Sequence, residues 1–321
     1  MPSLRVVVLS APNARHLSAL EQLPDDTTIT VGASAEAFRS AAADADVIFT
    51  GMGMAPVLRE IWPQAKKVRW VHSMSAGVDN LLFPDLVQSD VPLTNARGVF
   101  AESLGEFVLA SMFHFAKDLR RMVRNQEAHR WEQFDVDLLH RQTLGVVGYG
   151  EIGRAAARRA KAIGMKVLAI RRRSSGDPDP VVDQSFTPGD RTQMMSLCDY
   201  VAIAAPLTPE TKSMIGEAEI AAMKPAGVLI NVGRGPVIHE PALIKALQEK
   251  RIRGAALDVF DQEPLPEGHP YWEMENLLLS PHCADHTSSW LEEAMDIFLR
   301  NFFRFHRGEE LVNVVDKKAG Y

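Results

Sequence analysis

The sequence predicts an α/β chain built as two doubly wound parallel-sheet domains with a cleft between them. Three observations lead there. The 321 residues exceed what one ordinary core accommodates and suffice for two α/β lobes. Short apolar, β-branched runs alternate with helical patterns along the whole chain, the mark of βαβ units in sheets buried on both faces. Those runs fall into two series, which implies two sheets.

The first series of expected strands is 5–10, 28–32, 46–51, 68–74 and 91–95. The second is 144–148, 166–170, 200–205, 228–232, 255–259 and 277–280. Between the series, residues 102–130 read as one long helix with apolar positions on more than one face (Leu104, Phe107, Val108, Met112, Phe113, Phe115). A helix that apolar is either deeply buried or part of a subunit interface, and a homodimer is expected. A second long helix, 288–307, follows the last strand and is expected to carry the chain back to the first lobe. The domain boundaries are therefore 1–98 with 287–321 for the first domain and 99–286 for the second. Small-molecule sites favour such a cleft.

Composition narrows the class. With 46% hydrophobic and 24% charged residues the chain is an ordinary globular one, and its net charge of −6 argues against nucleic acid as a partner. Two cysteines, Cys198 and Cys283, are too few for a disulfide framework and lack metal-ligand spacing. A reducing, cytoplasmic compartment and no metal are expected. No apolar run reaches membrane-spanning length, and Val6 to Leu9 is too short for a signal segment and reads as a first strand.

The strongest local signal is Leu144-Gly145-Val146-Val147-Gly148-Tyr149-Gly150-Glu151-Ile152-Gly153, a strand feeding a Gly-x-Gly-x-x-Gly turn. An alanine-rich helical pattern and a second strand follow, the context in which this turn holds a dinucleotide in a Rossmann-like fold. Gly148 serves the turn, Gly150 admits the pyrophosphate, Gly153 lets helix and strand pack, and the helix N-terminus faces the phosphates. Tyr149, Glu151 and Ile152 line the same turn. NAD-selective folds place an acid at the end of the second strand; this chain has Arg171-Arg172-Arg173. Guanidinium groups there suit a 2′-phosphate, so NADPH is the expected cofactor and NADH the weaker alternative.

Three further strand ends carry chemistry. Asn231-Val232-Gly233-Arg234-Gly235 ends one, Asp258-Val259-Phe260-Asp261-Gln262-Glu263-Pro264 the next, and Ser280-Pro281-His282 the third. Ligands bind at strand C-termini in open α/β sheets, so Arg234, Glu263 and His282 are expected at one crevice.

These motifs, with Ser75-Ala76-Gly77-Val78-Asp79-Asn80 and Pro206-Leu207-Thr208-Pro209-Glu210-Thr211, resemble the D-2-hydroxyacid dehydrogenase family of glyoxylate/hydroxypyruvate reductases and D-lactate and D-glycerate dehydrogenases. The likeness spans nearly the whole chain. It implies a small 2-keto or 2-hydroxy acid as substrate and a catalytic set of Arg234, Glu263 and His282. Arg234 would clamp the carboxylate and polarise the keto oxygen, His282 would give it a proton, and Glu263 would orient the imidazole and favour its charged form. Substrate contacts would come from Met52, Ser75, Ala76 and Gly77, the last two through backbone N–H groups. Ala205, Pro206, Thr211, Val232, Gly233 and Asp258 would line the cofactor, with Asp258 at the nicotinamide amide. Met52 and Met54 make an adaptable apolar wall or pack in the core, Cys283 is expected to be packing, and Trp131 reaches toward a partner subunit or fills core. A formate dehydrogenase shares the architecture but pairs its histidine with glutamine, and corepressors of the C-terminal-binding-protein type keep the triad without a metabolic role.

Overall fold

The computed structural model describes residues 3–172 and 179–321. The chain divides into two compact units, one of Met1–Val99 with Thr287–Tyr321 and the other of Phe100–His286.

The first unit carries five strands, β1 (Arg5–Leu9), β2 (Thr28–Gly32), β3 (Val47–Thr50), β4 (Trp70–Ser73) and β5 (Leu93–Asn95). They form one sheet in the order β2-β1-β3-β4-β5, every pair parallel. The central strands are apolar throughout because both faces are covered. One face holds Val7, Leu9, Ile48, Val71 and Leu93 among buried helical side chains. On the other, Trp70, Phe49 and His72 meet Phe298 of the helix Trp290–His306, with Trp70 stacked on Phe298 at 5.5 Å. The chain end returns to this sheet, where Val314 pairs antiparallel with Thr94 and Lys317 Nζ donates to the carbonyls of Leu86, Ser89 and Val91.

The second unit carries β6 (Thr143–Val147), β7 (Lys166–Ile170), β8 (Gln184–Phe186), β9 (Tyr200–Ile203), β10 (Val228–Asn231), β11 (Gly254–Leu257) and β12 (Leu277–Leu279). Their order is β12-β11-β10-β9-β6-β7-β8, again all parallel. The connection reverses direction between β6 and β9, whose register pairs Leu144 with Tyr200, and such a switch point is where open α/β sheets bind ligands. The strand β8 was not expected: two of its three residues are exposed, so it lacks the apolar run that marks an inner strand.

The long helix expected over 102–130 is two helices, Ala101–Ala116 and Leu119–Glu127. Between them Asp118 turns left-handed at φ 48° and accepts a hydrogen bond from Arg121 N, capping the second helix. The first helix packs on Glu151–Ala162, where Gly105 lies so close that a Cβ would sit 2.9 Å from Ala155 Cβ. No helix among the described residues is long and apolar enough to cross a membrane.

Candidate active site

The turn after β6 is shaped by what its glycines exclude. Gly148 sits at φ 94°, and a Cβ there would lie 2.6 Å from Ala205 N. A Cβ on Gly153 would meet the Gly148 carbonyl and Val146 Cγ1, so only glycine lets the helix Glu151–Ala162 start this near the strand. Around Gly150 the space is open, with nothing within 4 Å of a Cβ. An open cradle under the N-terminus of a three-turn helix fits a pyrophosphate, and the residues present therefore suit a dinucleotide. Of the other turn residues, Glu151 is exposed in the first helical turn and Ile152 is half-buried.

Neighbouring strand ends complete this edge. Ala205 packs against both Gly148 and Gly233. Thr211 Oγ1 donates to the Pro206 carbonyl at 2.6 Å and accepts from Thr208 N at 2.8 Å, so it closes its own turn. Val232 is buried, and Gly233 N donates to Asn231 Oδ1.

At the end of β7, Arg171 stacks on the Tyr149 ring, its guanidinium carbon 4.3 Å from the centroid. It also pairs with Asp179 at 3.4 Å, and Tyr149 Oη donates to the same Asp179 oxygen at 2.9 Å. Arg172 is exposed; Arg173 lies outside the described residues. Asp179 had no signal in the sequence, since it is thirty positions from Tyr149 and belongs to no motif.

Arg234, Glu263 and His282 follow the ends of β10, β11 and β12. The Arg234 backbone is fixed by Asn231 Nδ2, which donates to its carbonyl at 3.0 Å, and its guanidinium donates to Gly233 O at 2.8 Å. Glu263 Oε1 accepts from Phe260 N at 2.9 Å, which leaves Oε2 to meet His282 Nδ1 at 2.6 Å. Carboxylate contact at Nδ1 fixes the proton there and presents Nε2 as the titrating nitrogen. The Glu263 hydrogen bond raises the His282 pKa against the opposing effect of burial, with Asp258 adding to the rise and Arg234 opposing it. Burial works to raise Glu263, but His282 and the Phe260 amide hold its carboxyl below the usual value, with Arg234 helping. Arg234 is thus near enough to act on both partners through space.

His282 stands at φ 51°, a left-handed conformation that its loop must hold. Asp258 supplies the hold. Its Oδ1 accepts from Ser280 Oγ at 2.6 Å, Cys283 N at 3.0 Å and Ala284 N at 3.1 Å. The sequence assigned Asp258 to the cofactor alone; the structure makes it the anchor of the histidine loop. Cys283, expected as packing, is exposed, its Sγ 3.7 Å from Ser280 Oγ. The described residues contain no cluster of His, Cys, Asp and Glu fit to hold a metal.

The remaining expected residues belong to the first unit. Met52 is exposed ahead of Gly53 at φ 75°, and Met54 packs on the first unit's core. Ser75, Ala76 and Gly77 form the loop after β4. Ser75 N donates to Ser73 Oγ, Ser75 O accepts from Ala96 N, and Asn95 Nδ2 donates to Ala76 O at 2.6 Å. Asn95 is a buried brace that motif reading overlooked.

With a glycine cradle after β6 and a carboxylate-paired histidine after β12, the chain is of the class of NAD-binding oxidoreductases that act on CH–OH groups. Residues 109–284 match the model of the D-isomer specific 2-hydroxyacid dehydrogenase NAD binding domain. A glyoxylate reductase of Korarchaeum cryptofilum is 34% identical over 276 residues, covering 82% of this chain and 81% of that one. The crystal structure of a D-isomer specific 2-hydroxyacid dehydrogenase from Xanthobacter autotrophicus in complex with NADPH and MES is 28% identical and covers all of both chains at a TM-score of 0.84. That of an NADPH-dependent glyoxylate/hydroxypyruvate reductase from Sinorhizobium meliloti, with NADP and sulfate, is 25% identical over the full length of both at 0.86. The chain belongs to the D-isomer specific 2-hydroxyacid dehydrogenase family.

Proposed function

We propose that this chain is an NADPH-preferring reductase of small 2-keto acids, of the glyoxylate or hydroxypyruvate kind, with Arg234, Glu263 and His282 as its catalytic set. The carrying observation is the 2.6 Å contact of Glu263 Oε2 with His282 Nδ1. It favours the charged imidazole and leaves Nε2 to serve as proton donor. Arg234 binds the substrate carboxylate and the keto oxygen, on which negative charge grows as the bond order falls. Met52, Ser75, Ala76 and Gly77 contact the substrate, the last two through backbone N–H groups. Gly148 to Gly153, Ala205, Pro206, Thr211, Val232 and Gly233 hold the dinucleotide, Asp258 Oδ2 takes the nicotinamide amide, and the arginines after β7 take the 2′-phosphate. When bound, the reduced nicotinamide supplies the hydride. The first unit then serves as substrate domain and the second as dinucleotide domain.

A keto-acid panel with both cofactors, followed at the nicotinamide absorbance, tests the reading. Glyoxylate or hydroxypyruvate should turn over with a lower KM for NADPH than for NADH, and His282→Ala should lose turnover while NADPH still binds. No turnover with any keto acid defeats the enzyme reading, and equal or better use of NADH defeats the NADPH preference.

The chain further acts as a cytoplasmic homodimer. Support comes from free cysteines and from an apolar strip in which Trp131 is 95% and Leu138 69% exposed, with Met122, Val123 and Val136 beside them in sequence. Such a strip on one segment is the kind of surface that a second copy covers. Sedimentation showing only a 35.5 kDa species overturns the dimer.

A further inference from the structure

At the adenosine end of the cradle, one carboxylate is already in contact with the arginine meant for phosphate. Asp179 Oδ2 receives the Tyr149 hydroxyl at 2.9 Å and lies 3.4 Å from Arg171 Nη2, while its Oδ1 accepts from Val181 N at 3.0 Å. Arg171 is in turn clamped from its flat side by the Tyr149 ring. The residues that carry this arrangement are Tyr149 of the glycine turn, Arg171 at the end of β7 and Asp179 ahead of β8.

Resting on the NADPH reading above, we infer that Asp179 is a cofactor-selectivity residue, an internal counter-anion that competes with the 2′-phosphate for Arg171. The chemistry runs in one direction. A 2′-phosphate brings about −1.5 to −2 charges at neutral pH and seeks the same guanidinium that Asp179 now neutralises. Binding must therefore either move the carboxylate off Arg171 or seat the phosphate beside a like charge, and both lower NADPH affinity. NADH carries only hydroxyls on that ribose, which donate to a carboxylate and meet no such penalty. The Tyr149 hydroxyl remains a donor to Asp179 throughout, since burial and the carboxylate push its pKa up to about 12. Asp179 thus narrows the preference that the arginine run by itself dictates.

Substitution at this position separates charge from loop shape. Asp179→Asn keeps an oxygen for Val181 N and removes the charge; Asp179→Ala removes both. Dissociation constants for NADPH, NADH and 2′,5′-ADP are measured by calorimetry, without turnover, on the full chain and both variants. The expected result is an NADPH and 2′,5′-ADP Kd about tenfold lower in Asp179→Asn, with NADH within about threefold of its parent value. An NADPH Kd that stays put or rises in Asp179→Asn overturns the proposal. So does a matching gain for NADH, or an effect confined to Asp179→Ala, which assigns the change to the turn rather than the charge. The parent's own ratio of NADH Kd to NADPH Kd tests the underlying preference separately, because Asp179→Asn should raise that ratio wherever it starts.

Discussion

His282 has two needs, a proton and a direction, and different carboxylates meet them. Glu263 meets the first through Nδ1 and Asp258 the second through the backbone of the loop. The division has a consequence for pH. In the proposed role of His282 as proton donor, reduction needs the imidazolium; the Glu263 hydrogen bond places the His282 pKa above its ordinary 6.5, so that donor would be charged below the raised value and lost as pH climbs through it. Glu263→Gln keeps the shape and removes the charge. The falling alkaline limb of kcat/KM for reduction should then move to lower pH by about one unit or more. Superimposable pH profiles for parent and variant would end Glu263's part in the reaction. Holding His282 left-handed costs about 1 kcal/mol, a sum that three hydrogen bonds into one Asp258 oxygen can offset.

At the scale of elements, the strand ends were the legible part. Parallel strands buried on both faces read as unbroken apolar runs, so eleven of the twelve strands among the described residues, and the glycine turn, are legible in the sequence. What stayed hidden depends on contacts between residues far apart in sequence. The edge strand β8 has too little burial to show a pattern, and the break at Asp118 needs only one left-handed residue inside an otherwise helical stretch. Asp179 and Asn95 carry no motif because their meaning lies in Arg171 and Ala76. Asn95 illustrates the cost of missing one. Its amide sits 5% exposed at the end of β5 and ties down the loop that follows β4 by the Ala76 carbonyl. If the backbone N–H groups of Ala76 and Gly77 hold a carboxylate, loosening that carbonyl should disperse them. Asn95→Ala should raise the keto-acid KM about tenfold while the NADPH dissociation constant stays near the parent value. A variant with unchanged KM would reduce Asn95 to scaffolding.

Across the whole molecule, each unit carries its own core, and among the described residues only the first buries a histidine completely. His72 is enclosed by Phe49, Trp70 and Phe298, with Nδ1 2.8 Å from Thr94 Oγ1, which also receives the Trp70 indole N–H at 2.8 Å. Burial drives its pKa down to about 3, so the folded protein keeps it neutral where the unfolded chain binds a proton. The sign follows from that difference. Above pH 6.5 neither state is protonated and stability is unaffected; below it the unfolded state gains protons and stability falls by about 1.4 kcal/mol per pH unit for this one side chain, down toward pH 3. His16 and His114 add to the same slope, the first lowered by burial and the second by burial with help from Arg120. Ion-paired surface carboxylates such as Asp44 act at lower pH, and Asp261 and Asp285, both raised by burial, oppose the histidines' slope. His72→Phe should keep the ring packing, leave the Trp70–Thr94 bond in place and flatten the loss of unfolding midpoint between pH 6.5 and 4.5. Thermal melts of parent and variant across that window decide it: parallel decline of the two would mean that His72 is not what makes this fold acid-sensitive.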